Sequence, residues 1–150
     1  DNLAGKNVLT KLNEVYSDES VWITAGSYLE NDTYNVVSPQ VSDGYWDGNI
    51  RKKPWSFSHL RSFRKKLFDK IKLEDLYDLD GDFFKFTFDR AMMYPMVEMA
   101  GPNHFKPLYD VLYVYNRLNP ISVDRAHRVE QLRIESVISN KSPYKRINKL

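Results

Sequence analysis

Two periodicities alternate along this chain of 150 residues, and the alternation suits a layered sheet with helices better than a helical bundle. Between residues 3 and 16, Val8, Leu9, Leu12, Val15 and Tyr16 recur at the spacing of one helix face, with Lys and Glu between them, which predicts an amphipathic helix. Val21 to Tyr28 follows, β-branched and aromatic, and predicts a buried strand. Asn31 to Pro54 then loses all period, mixing Asn, Asp, Gly, Ser and Pro with isolated aromatics. A long aperiodic stretch in a compact domain is usually a functional loop. Ser56 or Ser58 caps an expected helix through Leu60, Phe63, Leu67 and Ile71. Thr87 or Asp89 opens another through the four methionines, kinked near Met92 by Pro95 and closed by Gly101-Pro102. Leu108 to Tyr115 predicts a second strand, and Asp124 to Ser139 a last helix, before a basic, loosely packed tail from Asn140. One mixed α/β domain accommodates these segments.

Composition narrows the function classes. With 22 basic and 20 acidic residues the net charge is +2, so there is no global attraction to nucleic acid or acidic lipid. The absence of cysteine removes disulfides and thiol chemistry, which fits a reducing compartment such as the cytoplasm. No apolar run reaches the roughly 18 residues that a membrane span needs. His59, His104 and His127 are isolated and lack zinc-ligand spacing. Asp78 to Asp82 begins like a calcium loop, but Gly81 stands too early and Asp89 replaces the closing Glu, so a turn is expected.

Two constellations carry chemistry. The block from Arg51 to Lys72 holds nine Lys or Arg against the single acid Asp69, with Trp55, His59 and Phe63 interleaved. Such a cluster neutralises phosphates while its rings stack on bases or sugars. Lys65, Lys66 and Lys70 also fit the solvated side of a helix; Arg51, Trp55, His59 and Arg61 flank the expected helix start, where backbone N–H groups favour anions. The second constellation is Phe86 to Gly101, in which Asp89 stands at a helix start among aromatics and methionines. A carboxylate there suits a general base, and equally an N-terminal cap. Glu98 reads as a structural partner, and the methionines as adaptable core filler.

Three ordered segments, Trp55 to Arg64, Asp89 to Gly101 and Leu112 to Pro120, resemble the GT-A type inverting glycosyltransferases of family two, in particular a bacterial and viral branch. The resemblance extends over nearly the whole chain and implies the C-terminal, acceptor-side part of a GT-A mixed-sheet domain, residues 1–150, with the nucleotide-binding half upstream. It implies Asp89 as catalytic base, in the branch's Asp-Arg-Ala-Met-Met-Tyr-Pro-Met run, although Phe88 replaces the Glu that usually precedes it. Tyr45, Trp46, Arg51, Trp55, His59 and Arg61 are the expected substrate-binding residues. Mg²⁺ or Mn²⁺ is implied, bound mainly by the upstream half, with Asp1 the one candidate ligand here. The partners implied are a nucleotide-sugar donor and a glycan or other hydroxyl acceptor, and this chain alone is expected to transfer no sugar. The competing reading is a non-enzymatic RNA- or protein-binding module built on residues 51–72; a binding-only relative of the enzymes is a third.

Overall fold

The computed structural model describes residues 1–119 and 127–150, and they form a mixed α/β arrangement around one five-stranded sheet. Strand β1 (Asn2–Leu3) is followed by helix α1 (Val8–Tyr16), strand β2 (Ile23–Glu30) and strand β3 (Val36–Val37). Strand β4 (Arg61–Phe63), the single-turn helix α2 (Lys65–Phe68), helix α3 (Phe88–His104), strand β5 (Phe105–Tyr115) and helix α4 (Arg128–Asn140) complete it. The order is β1-β5-β2-β3, with β4 also on β2. Only β2 and β5 run parallel; β1 on β5, and β3 and β4 on β2, are antiparallel.

Alternation along β2 explains how the sheet is covered. Ile23 and Ala25 point into the main core, with Phe57, Tyr94, Met96, Val97, Phe105, Ile134 and Ile138. The intervening Thr24 is also fully buried, and its hydroxyl lies 2.7 Å from Ser62 Oγ, which meets Tyr16 Oη of α1 at 3.0 Å. Helix α1 adds Val8 and Leu12 over Leu112 in a separate cluster, while Leu9 of the expected apolar face is exposed. Pro107 pairs with Ala25 inside β5, and the register shifts beyond it. A proline is tolerated there because β1 reaches only Tyr113 and Val114 on the other side of β5.

Four expectations are corrected. The predicted helix through Leu60, Phe63, Leu67 and Ile71 is strand β4 plus one turn of α2. Arg61, Ser62 and Phe63 pair with Ala25, Thr24 and Ile23, and backbone pairing to an open strand edge overrides the local period. The aperiodic 31–54 stretch contains β3 and the 3₁₀ turns Asp43–Trp46 and Ile50–Lys52. The tail is docked: Tyr144 Oη donates to Asp75 Oδ2 and accepts from Lys72 N, and Ile147 N bonds Met99 O at 3.0 Å. The break in α3 lies at Gly101, not near Met92. The 78–82 segment is a turn, closed by Asp78 N to Asp82 O at 2.8 Å and anchored to Arg133. The N-terminal part of the helix expected from Asp124 lies outside the described residues.

Gly101 has φ 60° and ψ −172°, a combination open essentially to glycine alone. A Cβ there would also meet Arg146 Cδ at 3.0 Å, though that flexible side chain can move. Gly101→Ala is therefore expected to cost about 1–3 kcal/mol, mostly as backbone strain. That corresponds to a fall in Tm of about 3–10 °C. A melting curve that shifts by less than about 1 °C would show that the backbone at this bend is not constrained.

Candidate functional site

A cavity of about 380 Å³ opens where β2, β5, the segment leading into β4 and the start of α3 meet. Trp55, His59, Arg61 and Asp89, which come from two separated stretches of sequence, all line it. Strand pairing holds Arg61 beside Ala25. Ser58 Oγ donates to Gly26 O at 2.7 Å and fixes the preceding turn. A Cβ on Gly26 would come within 3.0 Å of Leu60 N, so the absent side chain lets this segment approach β2.

Asp89 is the second residue of α3 and is not its cap. Thr87 precedes the helix with φ 57° and makes no side-chain capping bond, while Asp89 Oδ1 accepts from the backbone N–H of Arg90 at 2.9 Å. Oδ2 accepts from Arg61 Nη1 at 2.7 Å. The Asp89 side chain keeps 40% of its exposure, whereas that of Arg61 keeps 10%. The carboxylate is thus oriented from two sides yet reachable from the cavity.

The second amino group of Arg61 donates to His59 Nε2 at 2.7 Å. A guanidinium can only donate, so the imidazole accepts and is neutral. Burial and the neighbouring Arg61 charge push the His59 pKa down from 6.5 to about 4, with Asp89 opposing them. The ring stacks on Tyr113 at 5.1 Å and meets Tyr28 and Tyr115 at 5.9 and 5.7 Å. Held neutral, the imidazole positions Arg61 by accepting its N–H and keeps one ring N–H of its own.

Linkage fixes the sign of the pH effect. The folded His59 pKa lies below its ordinary value, so between about pH 6.5 and pH 4 the unfolded state binds the extra proton. The contribution of His59 to stability is full above about pH 6.5 and is lost as the pH falls towards about 4. His59→Gln is expected to flatten the pH dependence of Tm in that window. Parallel Tm profiles for the two proteins would refute a neutral, half-buried imidazole.

Along one wall, guanidiniums and rings alternate. Arg117 Cζ lies 6.0 Å from the Tyr115 centroid, Tyr115 meets His59, and His59 bonds Arg61. Arg61 and Arg90 then lie 5.7 and 5.2 Å from the Trp55 centroid. The lining includes three guanidiniums and the single carboxylate of Asp89. Arg90, Arg117, Tyr28 and Tyr115 were not legible as site residues. The one available signal was the two-residue period of Tyr113, Tyr115 and Arg117, which places them on one side of β5 and its extension.

The remaining expected residues lie elsewhere. Tyr45 is buried behind the cavity, its ring 5.5 Å from Phe57 and its hydroxyl donating to Pro54 O at 3.0 Å. Trp46 packs on Phe105 and lines a separate hollow of about 170 Å³ with Glu98 and Tyr144. Neither forms the cavity wall, because the 3₁₀ turn between Asp43 and Trp46 directs both rings into the core. Arg51 is not at the cavity either: its side chain is 1% exposed and paired to Glu98. Asp1 sits at the end of β1, where Oδ1 accepts from Asn116 N at 2.8 Å, between Tyr115 and Arg117.

No group of three or more His, Cys, Asp or Glu among the described residues could hold a metal ion. With one oxygen on Asn116, Asp1 does not by itself make a site for Mg²⁺ or Mn²⁺. The basic block also fails to form one face. Besides the buried Arg51, Lys52 bonds Asn140, Arg64 holds the carbonyls of Val21, Tyr16 and Asp18, and Lys65 pairs with Asp69. No helix among the described residues is long and apolar enough to cross a membrane. None of the protein-family models, curated proteins and solved structures compared with the chain matches it.

Proposed function

We propose that this chain is the acceptor-side part of an inverting, GT-A type glycosyltransferase whose catalytic base is Asp89. The observation that carries the reading is the convergence of Trp55, His59, Arg61 and Asp89 on one accessible cavity. Three of them, Trp55, His59 and Arg61, come from one of the segments that resemble family two, and Asp89 from another. The cavity is large enough for the end of a saccharide and offers ring faces, Ser and Gln side chains and one reachable carboxylate.

In the reaction, an acceptor hydroxyl attacks the anomeric carbon of a nucleotide sugar. Its proton passes to the open face of Asp89, the new glycosidic C–O bond forms, and the bond to the diphosphate breaks with its electron pair leaving on the nucleotide. Arg61 and the Arg90 N–H hold the carboxylate so that its remaining lone pairs face the cavity. Ordering base and hydroxyl in this way removes much of the entropic cost of the encounter. The donor and any divalent ion are assigned to the nucleotide-binding half that the resemblance implies, and no step here passes through a metal.

The test is release of nucleoside diphosphate across a panel of sugar nucleotides and glycan acceptors with Mn²⁺. It is run on this chain and on the chain joined to a nucleotide-binding GT-A half. Turnover with inverted product is expected from the joined protein alone. Silence from both across the panel would sink the reading. RNA binding that falls steeply with added salt would favour the binding-module alternative instead.

A further inference from the structure

We propose that the cavity recognises a sugar carrying an anionic substituent, a carboxylate or a phosphate, held by Arg90 and Arg117. Calling that sugar the acceptor rests on the glycosyltransferase reading; its binding does not.

The three guanidiniums are not equivalent. Arg61 is committed, donating to Asp89 at 2.7 Å and to His59 at 2.7 Å. Arg90 Nη1 lies 3.2 Å from Glu135 Oε2 and Arg117 Nε 3.8 Å from Glu30 Oε1. Neither contact has the geometry of a hydrogen bond, and Glu135 keeps its buried Oε1 without a partner among the described residues. The acids offset charge, but among the described residues no group accepts a hydrogen bond from the N–H forks of Arg90 and Arg117. Both side chains are partly sheltered, at 24% and 41% exposure.

A sheltered guanidinium with free donors is suited to a bidentate anion, because charge-assisted hydrogen bonds strengthen as water is excluded. A neutral ligand would meet these guanidinium donors with weaker acceptors than a carboxylate or phosphate oxygen, even though Glu135 and Glu30 balance their charge. Thr87 points to the same chemistry. It lines the cavity three residues before Arg90, is 9% exposed, and its Oγ1 has no partner among the described residues. Buried hydroxyls are ordinarily satisfied, so this one is a further donor for a ligand oxygen. Trp55 beneath Arg90 and Tyr115 beneath Arg117 supply the apolar surface that a sugar ring needs, and they separate an anion-and-sugar site from a bare phosphate site.

The test uses calorimetric titrations with D-glucuronate, glucose 6-phosphate, inorganic phosphate and glucose at one ionic strength. At least one charged sugar is expected to bind about tenfold or more tighter than glucose, because charge-assisted hydrogen bonds are stronger than neutral ones. Whichever is tighter identifies the carboxylate or the phosphate as the recognised group. Arg117→Gln and Arg90→Gln are each expected to reduce that affinity about tenfold, and Arg117→Lys to recover part of it. Arg90 packs on Trp55 and its variant can lose stability, so melting curves accompany it and the more exposed Arg117 keeps the test decisive.

Three results would overturn the proposal. They are charged sugars that bind no better than glucose, a preference untouched by Arg117→Gln, or inorganic phosphate bound as tightly as either charged sugar. The two readings fail separately. Charged-sugar binding without any sugar-nucleotide turnover would remove the transferase and keep the anion site. Turnover with equal kcat/KM on neutral and charged acceptors would do the reverse.

Discussion

Glu98→Ala is expected to destabilise the fold by about 3–5 kcal/mol, the range for breaking a buried ion pair from one side. Glu98 receives Arg51 Nε on Oε1 at 2.7 Å and Arg51 Nη2 on Oε2 at 2.8 Å, and Oε2 also accepts from Tyr144 N. Arg51 completes the network by donating to Ile138 O at 3.1 Å. One carboxylate thus ties α3, the 3₁₀ turn at Arg51, the end of α4 and the tail together. Without it, a guanidinium that is 1% exposed has no counter-charge, and leaving it so is costlier than losing the contact itself. Against a net stability of about 5–15 kcal/mol the loss is large, and Tm falls by about 10 °C or more. The surface pair of Lys65 and Asp69 is the control. With side chains 84% and 48% exposed it contributes only a few tenths of a kcal/mol, and Lys65→Ala leaves Tm within about 1 °C. Should Glu98→Ala melt within about 2 °C of the parent, the pair does not hold the tail to α3.

Asp89→Asn carries the largest expected effect on activity. In the proposed reaction it removes the proton acceptor and keeps the shape, so kcat falls by about 10²- to 10⁴-fold while donor affinity changes little. The comparison is made on the protein that supports transfer, with melting curves taken in parallel. Arg61 loses its carboxylate partner in the variant, and a modest fall in Tm accompanies the kinetic loss. A role confined to structure predicts a different result: lower Tm, with turnover per folded molecule unchanged. That outcome would end the assignment of Asp89 as base.

The strands expected at Val21 to Tyr28 and Leu108 to Tyr115 occur as β2 and β5, because β-branched and aromatic runs favour extended backbone wherever they are buried. The first helix and the helix of the methionines follow equally from local period, and Glu98 is the structural partner expected of it. The segment after Leu60 went the other way. Its apolar spacing fits a helix, yet three residues of it complete the ladder on β2, and no property of those residues announces an open strand edge elsewhere in the chain.

The same division runs through the site. Residue types and order along the chain determined that an aromatic, basic segment and an acid at a helix start are present. Their position determined neither what each side chain faces nor which charges neutralise one another. Arg51 and Arg61 stand ten residues apart in one basic block, yet one is closed inside the core against Glu98 and the other is at a cavity beside Asp89. Arg90 and Arg117 became cavity residues because parallel pairing of β2 and β5 brings the end of the sheet to the start of α3. Period and propensity are local and survive in the linear sequence; burial, pairing and charge compensation depend on contacts between distant residues, and only the folded chain fixes those.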